Sequence, residues 1–250
     1  MAELLILGSG AALTDGSREP TMLALRGSQS TVLIDCGGNA VRQLQLLHVP
    51  LDSIERVILT HTHPDHTSGF GLLIEMLWLS GRRAPIPIHA LPDALDLAQR
   101  LFAQWDTRDW KGLPELQWNP IALEVGAPIV TGSDFELTAA LGEHSVPVVG
   151  VRARDLHGGT LVYSSDGQPS PGIRVLAQNA NVLVHEATGN YPGHSTAEGA
   201  AELAHAAGAK TLILVHLAPL VNDLDTQREA AARIFGGPVF IGRDLDRYEF

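Results

Sequence analysis

Short apolar runs of β type recur along the whole chain, at residues 4–7, 22–26, 31–35, 56–60, 86–89, 135–141, 146–151, 160–164, 182–185, 211–215 and 238–241. Helical patterns lie between several of them. Residues 39–48 follow a Gly-Gly turn, and residues 68–80 are apolar nearly all round, which predicts a buried helix. Residues 195–207 are preceded by turn residues and read as an amphipathic helix that Gly208 ends, with Ser195 as its expected N-cap. Residues 226–235 form another, stopped by Gly236-Gly237-Pro238. Strands in runs at both ends with helices interleaved suit two sheets stacked face to face with helices outside, an α/β architecture. No repeat, low-complexity tract or linker divides the chain, so residues 1–250 are expected to form one domain. Residues 102–118 differ in character: Trp105, Trp110 and Trp118 stand there among charges, glycine and proline. They read either as a loop whose aromatics pack on the core or as a lid or subunit contact, the latter consistent with a homodimer.

Composition narrows the class. With 45% apolar and 18% charged residues in 250, the chain can bury a sizeable core without disulfides. Cys36 is the single cysteine, so no intramolecular disulfide forms and a cytoplasmic location fits. The opening Met1-Ala2-Glu3-Leu4-Leu5 has no basic region and is not read as a signal peptide. The longest apolar stretch, 72–79, is interrupted by Glu75 and is too short to span a bilayer, so no membrane partner is expected. The net charge is −11 and only Lys111 and Lys210 are lysine, which weighs against extensive nucleic-acid contact.

Candidate chemistry is concentrated in Thr60-His61-Thr62-His63-Pro64-Asp65-His66, between a strand pattern and a helical one. At an extended strand end His61 and His63 point to the same side, and two imidazoles there can grip one metal ion at ~2.0–2.1 Å. Pro64 turns the chain, so Asp65 and His66 can face a second ion. A cluster of satisfied core histidines is the weaker reading, because burying three imidazoles and a carboxylate unpaired is costly.

The string His61-x-His63-x-Asp65-His66 resembles the signature of the metallo-β-lactamase superfamily. That resemblance implies a four-layer αββα sandwich and further ligands at later strand ends. His144, Asp166 and His216 meet that description. By analogy His61, His63 and His144 hold one metal, Asp65, His66 and His216 the other, and Asp166 bridges them. A narrower resemblance, to the ribonuclease Z branch, lies in Val184-His185-Glu186-Ala187-Thr188, Gly193-His194-Ser195-Thr196, His144-Ser145-Val146-Pro147 and the opening Leu7-Gly8-Ser9-Gly10-Ala11. It implies that His194 contacts the reacting phosphate and that Glu186 orients it, with Asp65 the third catalytic group. It also suggests that Asp35 buttresses the site. One departure bears on substrate. The usual bacterial ribonuclease Z carries a long arm that grips transfer RNA between the third and fourth motifs, whereas 21 residues separate His144 from Asp166. That argues against an extensive transfer RNA interface.

The expected activity is that of a dinuclear metal-dependent phosphodiesterase using a metal-bound hydroxide, with two Zn²⁺ ions (Mn²⁺ or another divalent metal being alternatives) and a small phosphodiester or short RNA as substrate. Hydrolysis of another small ester by the same site is the alternative: an aryl sulfate, a cyclic phosphodiester or a lactone. A metal-bearing sensor without turnover is the non-enzyme alternative. Of the remaining histidines, His48, His89, His157 and His205 read as structural or surface residues, and His185 as a possible support for a ligand.

Overall fold

The computed structural model describes residues 2–13, 16–219 and 223–250. In chain order the first half contains β1 (Glu3–Gly8), β2 (Met22–Arg26), β3 (Thr31–Ile34), α1 (Ala40–Leu46), β4 (Ile54–Leu59), α2 (Pro64–Thr67), α3 (Phe70–Leu79), β5 (Ile86–Ala90), α4 (Pro92–Phe102) and β6 (Leu116–Pro120). The second half contains β7 (Ala127–Thr131), β8 (Phe135–Leu141), β9 (Val149–Asp155), β10 (Thr160–Tyr163), α5 (Pro171–Leu176) and β11 (Val182–Glu186). It ends with α6 (Ala197–Ala207), β12 (Thr211–Val215), α7 (Leu224–Phe235), β13 (Val239–Ile241) and β14 (Arg247–Glu249).

The strands form two seven-stranded sheets, ordered β14-β1-β2-β3-β4-β5-β6 and β13-β12-β11-β10-β9-β8-β7. Each is mixed: one half is antiparallel, and the stretches β3 to β6 and β10 to β13 are parallel. Strand alternation sorts the apolar side chains into three layers. Leu4, Ile6, Ile34 and Ile58 of the first sheet meet Leu137, Val151, Tyr163 and Val184 of the second in the central core. Leu5, Leu33, Val57 and Ile88 face α1, α3 and α4. Leu183, Leu212 and Leu214 face α5, α6 and α7. Central strands are therefore apolar on both faces, as burial on both sides requires. The result is the expected four-layer αββα sandwich.

Local details depart from expectation in physically readable ways. Thr196, not Ser195, caps α6: its side chain accepts from the Gly199 N–H, and Gly208 ends the helix at φ 68°. The Ser195 N–H is engaged instead by Glu186. Helix α3 is buried through Phe70, Leu73, Ile74 and Leu77 but leaves Leu72 and Leu79 exposed, so its uniform apolarity overstated its burial. The tryptophan segment packs on the outer helices. Trp110 stacks on Trp78 with ring centroids 4.8 Å apart, Trp118 lies against Phe70, and Trp105 covers Gly71. None of the three lines the cavity at the candidate site, which corrects the reading of this segment as a lid. Residues 145–165 are used up by strands β9 and β10 and their short connection, which leaves no chain for an arm.

Candidate metal centre

Strands β8, β10, β11 and β12 run in one direction, so their C-terminal ends share one edge of the second sheet. His144 follows β8, Asp166 follows β10, Glu186 ends β11 and His216 follows β12. His61 to His66 follow β4 of the other sheet and meet them across the crevice, where ligands bind in open α/β sheets. Two backbone positions there, Ser165 (φ 56°) and His216 (φ 54°), adopt the left-handed region that non-glycine residues rarely occupy. Each turns the chain sharply at a strand end.

All seven residues expected to hold metal come together. Donor atoms of His61, His63, His144 and Asp166 lie within 4.8 Å of one another, as do those of Asp65, His66, Asp166 and His216. Asp166 belongs to both groups. Its Oδ2 is 3.9 Å from His61 Nε2 and 3.1 Å from His216 Nε2, and its Oδ1 is 3.4 Å from His66 Nε2. His144 Nε2 and His63 Nδ1 are 3.2 Å apart. Cys36 is in neither group.

Four of the five imidazoles, those of His61, His66, His144 and His216, are oriented through their other nitrogen. Asp35 accepts from His66 Nδ1–H at 2.8 Å and from the Thr60 hydroxyl at 2.8 Å, and Thr60 Oγ1 in turn accepts from His61 Nδ1–H at 3.0 Å. Glu186 repeats the device. It accepts from His194 Nδ1–H at 2.9 Å and from the Thr188 hydroxyl at 2.7 Å, and Thr188 Oγ1 accepts from His216 Nδ1–H at 2.7 Å. His144 Nδ1–H donates to the Gly193 carbonyl at 2.7 Å. Such partners fix the tautomer and aim the free nitrogen. Asp35 thus supports the site as expected. Thr60 and Thr188 were not singled out from the sequence; both stand inside the motif strings, but a relay by a hydroxyl leaves no pattern of its own.

The donor set fits a pair of divalent ions. His61 Nε2, His66 Nε2 and Asp166 Oδ1 are buried without a hydrogen-bond partner, a costly state for polar atoms that a cation among them relieves. Asp35, Asp65, Asp166 and Glu186 converge here, and among the described residues only histidines pair with them. Burial, reinforced by His66, pushes the His61 pKa well down and keeps it a neutral donor. Burial alone would raise Asp166, but the imidazoles of His216 and His66 hold its carboxyl well below the usual range.

His194 stands over this centre outside both four-residue groups, its donor atom clustering instead with those of Glu186 and His216. Its ring lies 4.9 Å from that of His144 and is stacked 5.6 Å from that of His216. The hydrogen bond to Glu186 raises its pKa, against the opposing effect of burial, so it tends to hold a proton. Glu186, fully buried, accepts on Oε1 from Gly167 N–H and Ser195 N–H besides His194. His185 turns to the opposite face of β11, donates to the Glu186 carbonyl and is in none of the ligand groups. A cavity of about 690 Å³ opens beside Asp65, Asp166, His194 and His216.

A family model described as a beta-lactamase superfamily domain matches residues 30–217. The chain is 28% identical over 291 residues to the ribonuclease Z of Methanothermobacter thermautotrophicus, covering 94% of this chain and 92% of that protein. That alignment is longer than the chain, so the relative carries residues that this chain lacks. Among solved structures, the metallo-beta-lactamase fold protein YhfI of Bacillus subtilis superposes with a TM-score of 0.84 at 22% identity, covering 100% of this chain and 99% of that one. The short form of human tRNase Z superposes with a TM-score of 0.81 at 22% identity, covering 99% and 98%. These two likenesses speak to the fold.

Proposed function

The chain belongs to the metallo-β-lactamase superfamily, and on that premise we propose that it is a dinuclear metal-dependent phosphodiesterase of ribonuclease Z type acting on small phosphodiesters or short RNA. The observation that carries this reading is the pairing of two ligand clusters sharing Asp166 with a hydrogen-bonded His194–Glu186 pair above them. His61, His63 and His144 would hold one ion and Asp65, His66 and His216 the other, with Asp166 common to both groups. Zinc is the first assignment, since the donors are imidazoles and carboxylates without thiolate; manganese is the alternative. When bound, such a pair lowers the pKa of water towards ~7 and neutralises charge on the phosphoryl oxygens.

This chain's own residues do the rest. Asp65 faces the cavity with Oδ2 3.2 Å from His216 Nε2, a position from which its carboxylate orients the attacking water and accepts its proton. His194, held by Glu186, donates to a phosphoryl oxygen or to the departing oxygen. The proton-transfer pair speaks against a sensor without turnover. A second reading, hydrolysis of an aryl sulfate, cyclic phosphodiester or lactone, draws on the same cavity, whose described lining holds no lysine or arginine. Transfer RNA is not the favoured substrate, given the net charge of −11 and the absence of an arm between His144 and Asp166. No described helix is long and apolar enough to cross a membrane, and the single cysteine suits the cytoplasm. A homodimer is the assembly we favour, through the face bearing exposed Leu72, Leu79 and Trp105.

The test is reconstitution with Zn²⁺ or Mn²⁺, followed by metal analysis and a panel of bis(p-nitrophenyl) phosphate, p-nitrophenyl sulfate, a lactone and a precursor transfer RNA. Two equivalents of metal per chain and preference for the phosphodiester are expected. Binding of transfer RNA should be weak and shallow in salt, against a slope of about −0.7 per phosphate neutralised on a single strand. No bound metal, or efficient 3′ trimming of the precursor with steep salt dependence, overturns the reading.

A further inference from the structure

The cavity at the candidate centre has one polar floor and an apolar wall. Asp65, Asp166, His194 and His216 form the floor. The wall is made by Ala12, Leu13, Tyr191, Pro192, Ala218 and Pro219, and no lysine or arginine lines it among the described residues. Leu13 is 62% exposed and Tyr191 51% exposed, although both are large apolar side chains at the mouth of a pocket. Neither has a part in holding the ions.

Tyr191 is nevertheless fixed. It belongs to the short loop from Thr188 to His194, closed at its base by Gly189 N–H donating to the Ser195 carbonyl at 2.9 Å. Within it Tyr191 N–H donates to the Gly189 carbonyl at 2.8 Å and His194 N–H to the Tyr191 carbonyl at 3.0 Å. Gly189, at φ 121°, presents the surface on which the tyrosine ring rests: a Cβ there would stand 3.4 Å from the ring. The far end is tied to the centre itself, since the Gly193 carbonyl accepts from His144. The loop backbone so held sets an aromatic face three residues from His194, a stacking platform whose loop has little ordering entropy left to lose on binding.

We propose that Leu13 and Tyr191 form a seat for an uncharged planar ring carried by one ester arm of the substrate, an aryl group or a nucleobase, so that the site selects ring-bearing monoanionic phosphodiesters. The proposal rests on the phosphodiesterase reading for the phosphoryl group and adds the identity of the arm. A wall without cations offers nothing to a second phosphate, whereas an exposed tyrosine face offers stacking to any ring. Loss of one aromatic platform costs a stacked base about 5- to 150-fold in affinity, from the usual ~1–3 kcal/mol.

The experiment is calorimetric titration of the metal-loaded protein with three phosphinate monoanions, whose arms are joined to phosphorus by carbon and cannot be hydrolysed off: dimethylphosphinate, benzyl(methyl)phosphinate and 5′-deoxythymidine carrying a methylphosphinate group on C5′. Wild type should bind at least one ring-bearing ligand about 5- to 150-fold more tightly than dimethylphosphinate. The tighter of the two identifies the ring as aryl or nucleobase. In Tyr191→Ala that advantage should vanish while affinity for dimethylphosphinate stays within about twofold; the side chain is half exposed, so the variant should fold, and Tyr191→Phe should restore the advantage. Equal affinities in wild type, or an advantage that survives in both Tyr191→Ala and Leu13→Ala, would overturn the seat. Because binding is read without turnover, an intact ring preference in a protein that hydrolyses no phosphodiester refutes the catalytic reading and leaves the seat standing.

Discussion

Glu186→Gln tests the idea that the buried Glu186 carboxylate acts on turnover by holding His194. The carboxylate accepts from Gly167 N–H at 3.0 Å, Ser195 N–H at 3.1 Å and His194 Nδ1–H at 2.9 Å on Oε1, and from Thr188 N–H at 2.9 Å and Thr188 Oγ1–H at 2.7 Å on Oε2. A glutamine offers one acceptor oxygen and an NH₂ that only donates. Whichever way the amide turns, its NH₂ faces groups that were donating. If the oxygen replaces Oε2, His194 loses its acceptor and the proton that Glu186 helps it hold. Hydrogen bonds to charged groups are worth about 1.5–3 kcal/mol, so kcat should fall about 10- to 150-fold with metal saturating. His194→Ala removes the proton donor altogether and should cost about 10²- to 10⁴-fold. The decisive measurement is the double variant, assayed on bis(p-nitrophenyl) phosphate with metal content measured in parallel. If Glu186 acts through His194, the double variant is no slower than His194→Ala alone, within about threefold. Losses that multiply, or a Glu186→Gln enzyme with normal kcat beside an inactive His194→Ala, would refute the reasoning.

Two further groups of outcomes are expected, the first on metal loss. Asp65→Ala should lose turnover and fall towards one metal equivalent per chain, whereas His194→Ala keeps both, as elemental analysis would read; chelation should lower the melting temperature by about 5–10 °C, since ligand at 100 times Kd contributes ~2.7 kcal/mol, and an unchanged melting temperature would count against a preorganised site. The second concerns acid stability. His89 is buried against Arg56, whose Nη1 lies 3.4 Å from its Nε2, and burial followed by the Arg56 charge lowers its pKa from 6.5 to about 4. The unfolded chain takes up a proton there below about pH 6.5 that the folded one refuses until about pH 4, so this contribution is full above 6.5 and drains as pH falls through that window. The loss should reach about 1–2 kcal/mol at pH 5 after allowance for partial solvent screening, read as a shift in urea midpoint. A His89→Gln variant with the same pH slope between 6.5 and 4 would show that the histidine is not its source.

What the sequence by itself determined is local. His61, His63, Asp65 and His66 fall within six positions, so strand alternation and a proline turn are enough to point them at common ions. His144, Asp166 and His216 were reached through the resemblance to the metallo-β-lactamase superfamily, which implies ligands at later strand ends, and the central strands because burial on both faces leaves a continuous apolar signature. The short helix α5 and strands β6, β7 and β14 were not legible, being short, polar or at a sheet edge, where half the surface is solvated and the pattern is diluted. Helix α4 was passed over although Pro92 opens it and Ala94, Leu95 and Ala98 mark its buried face. The tertiary structure decided which groups share a proton or a hydrogen bond. Thr188 reaches His216 across 28 positions, Asp35 reaches His66 across 31 and His144 approaches His63 across 81. It also decided that the tryptophan segment packs outside while Leu13 and Tyr191 flank the cavity. Composition can announce a metal site because its ligands are chemically rare and clustered. Hydroxyl relays and cavity walls use residues common everywhere, and only the meeting of two sheet edges gives them their roles.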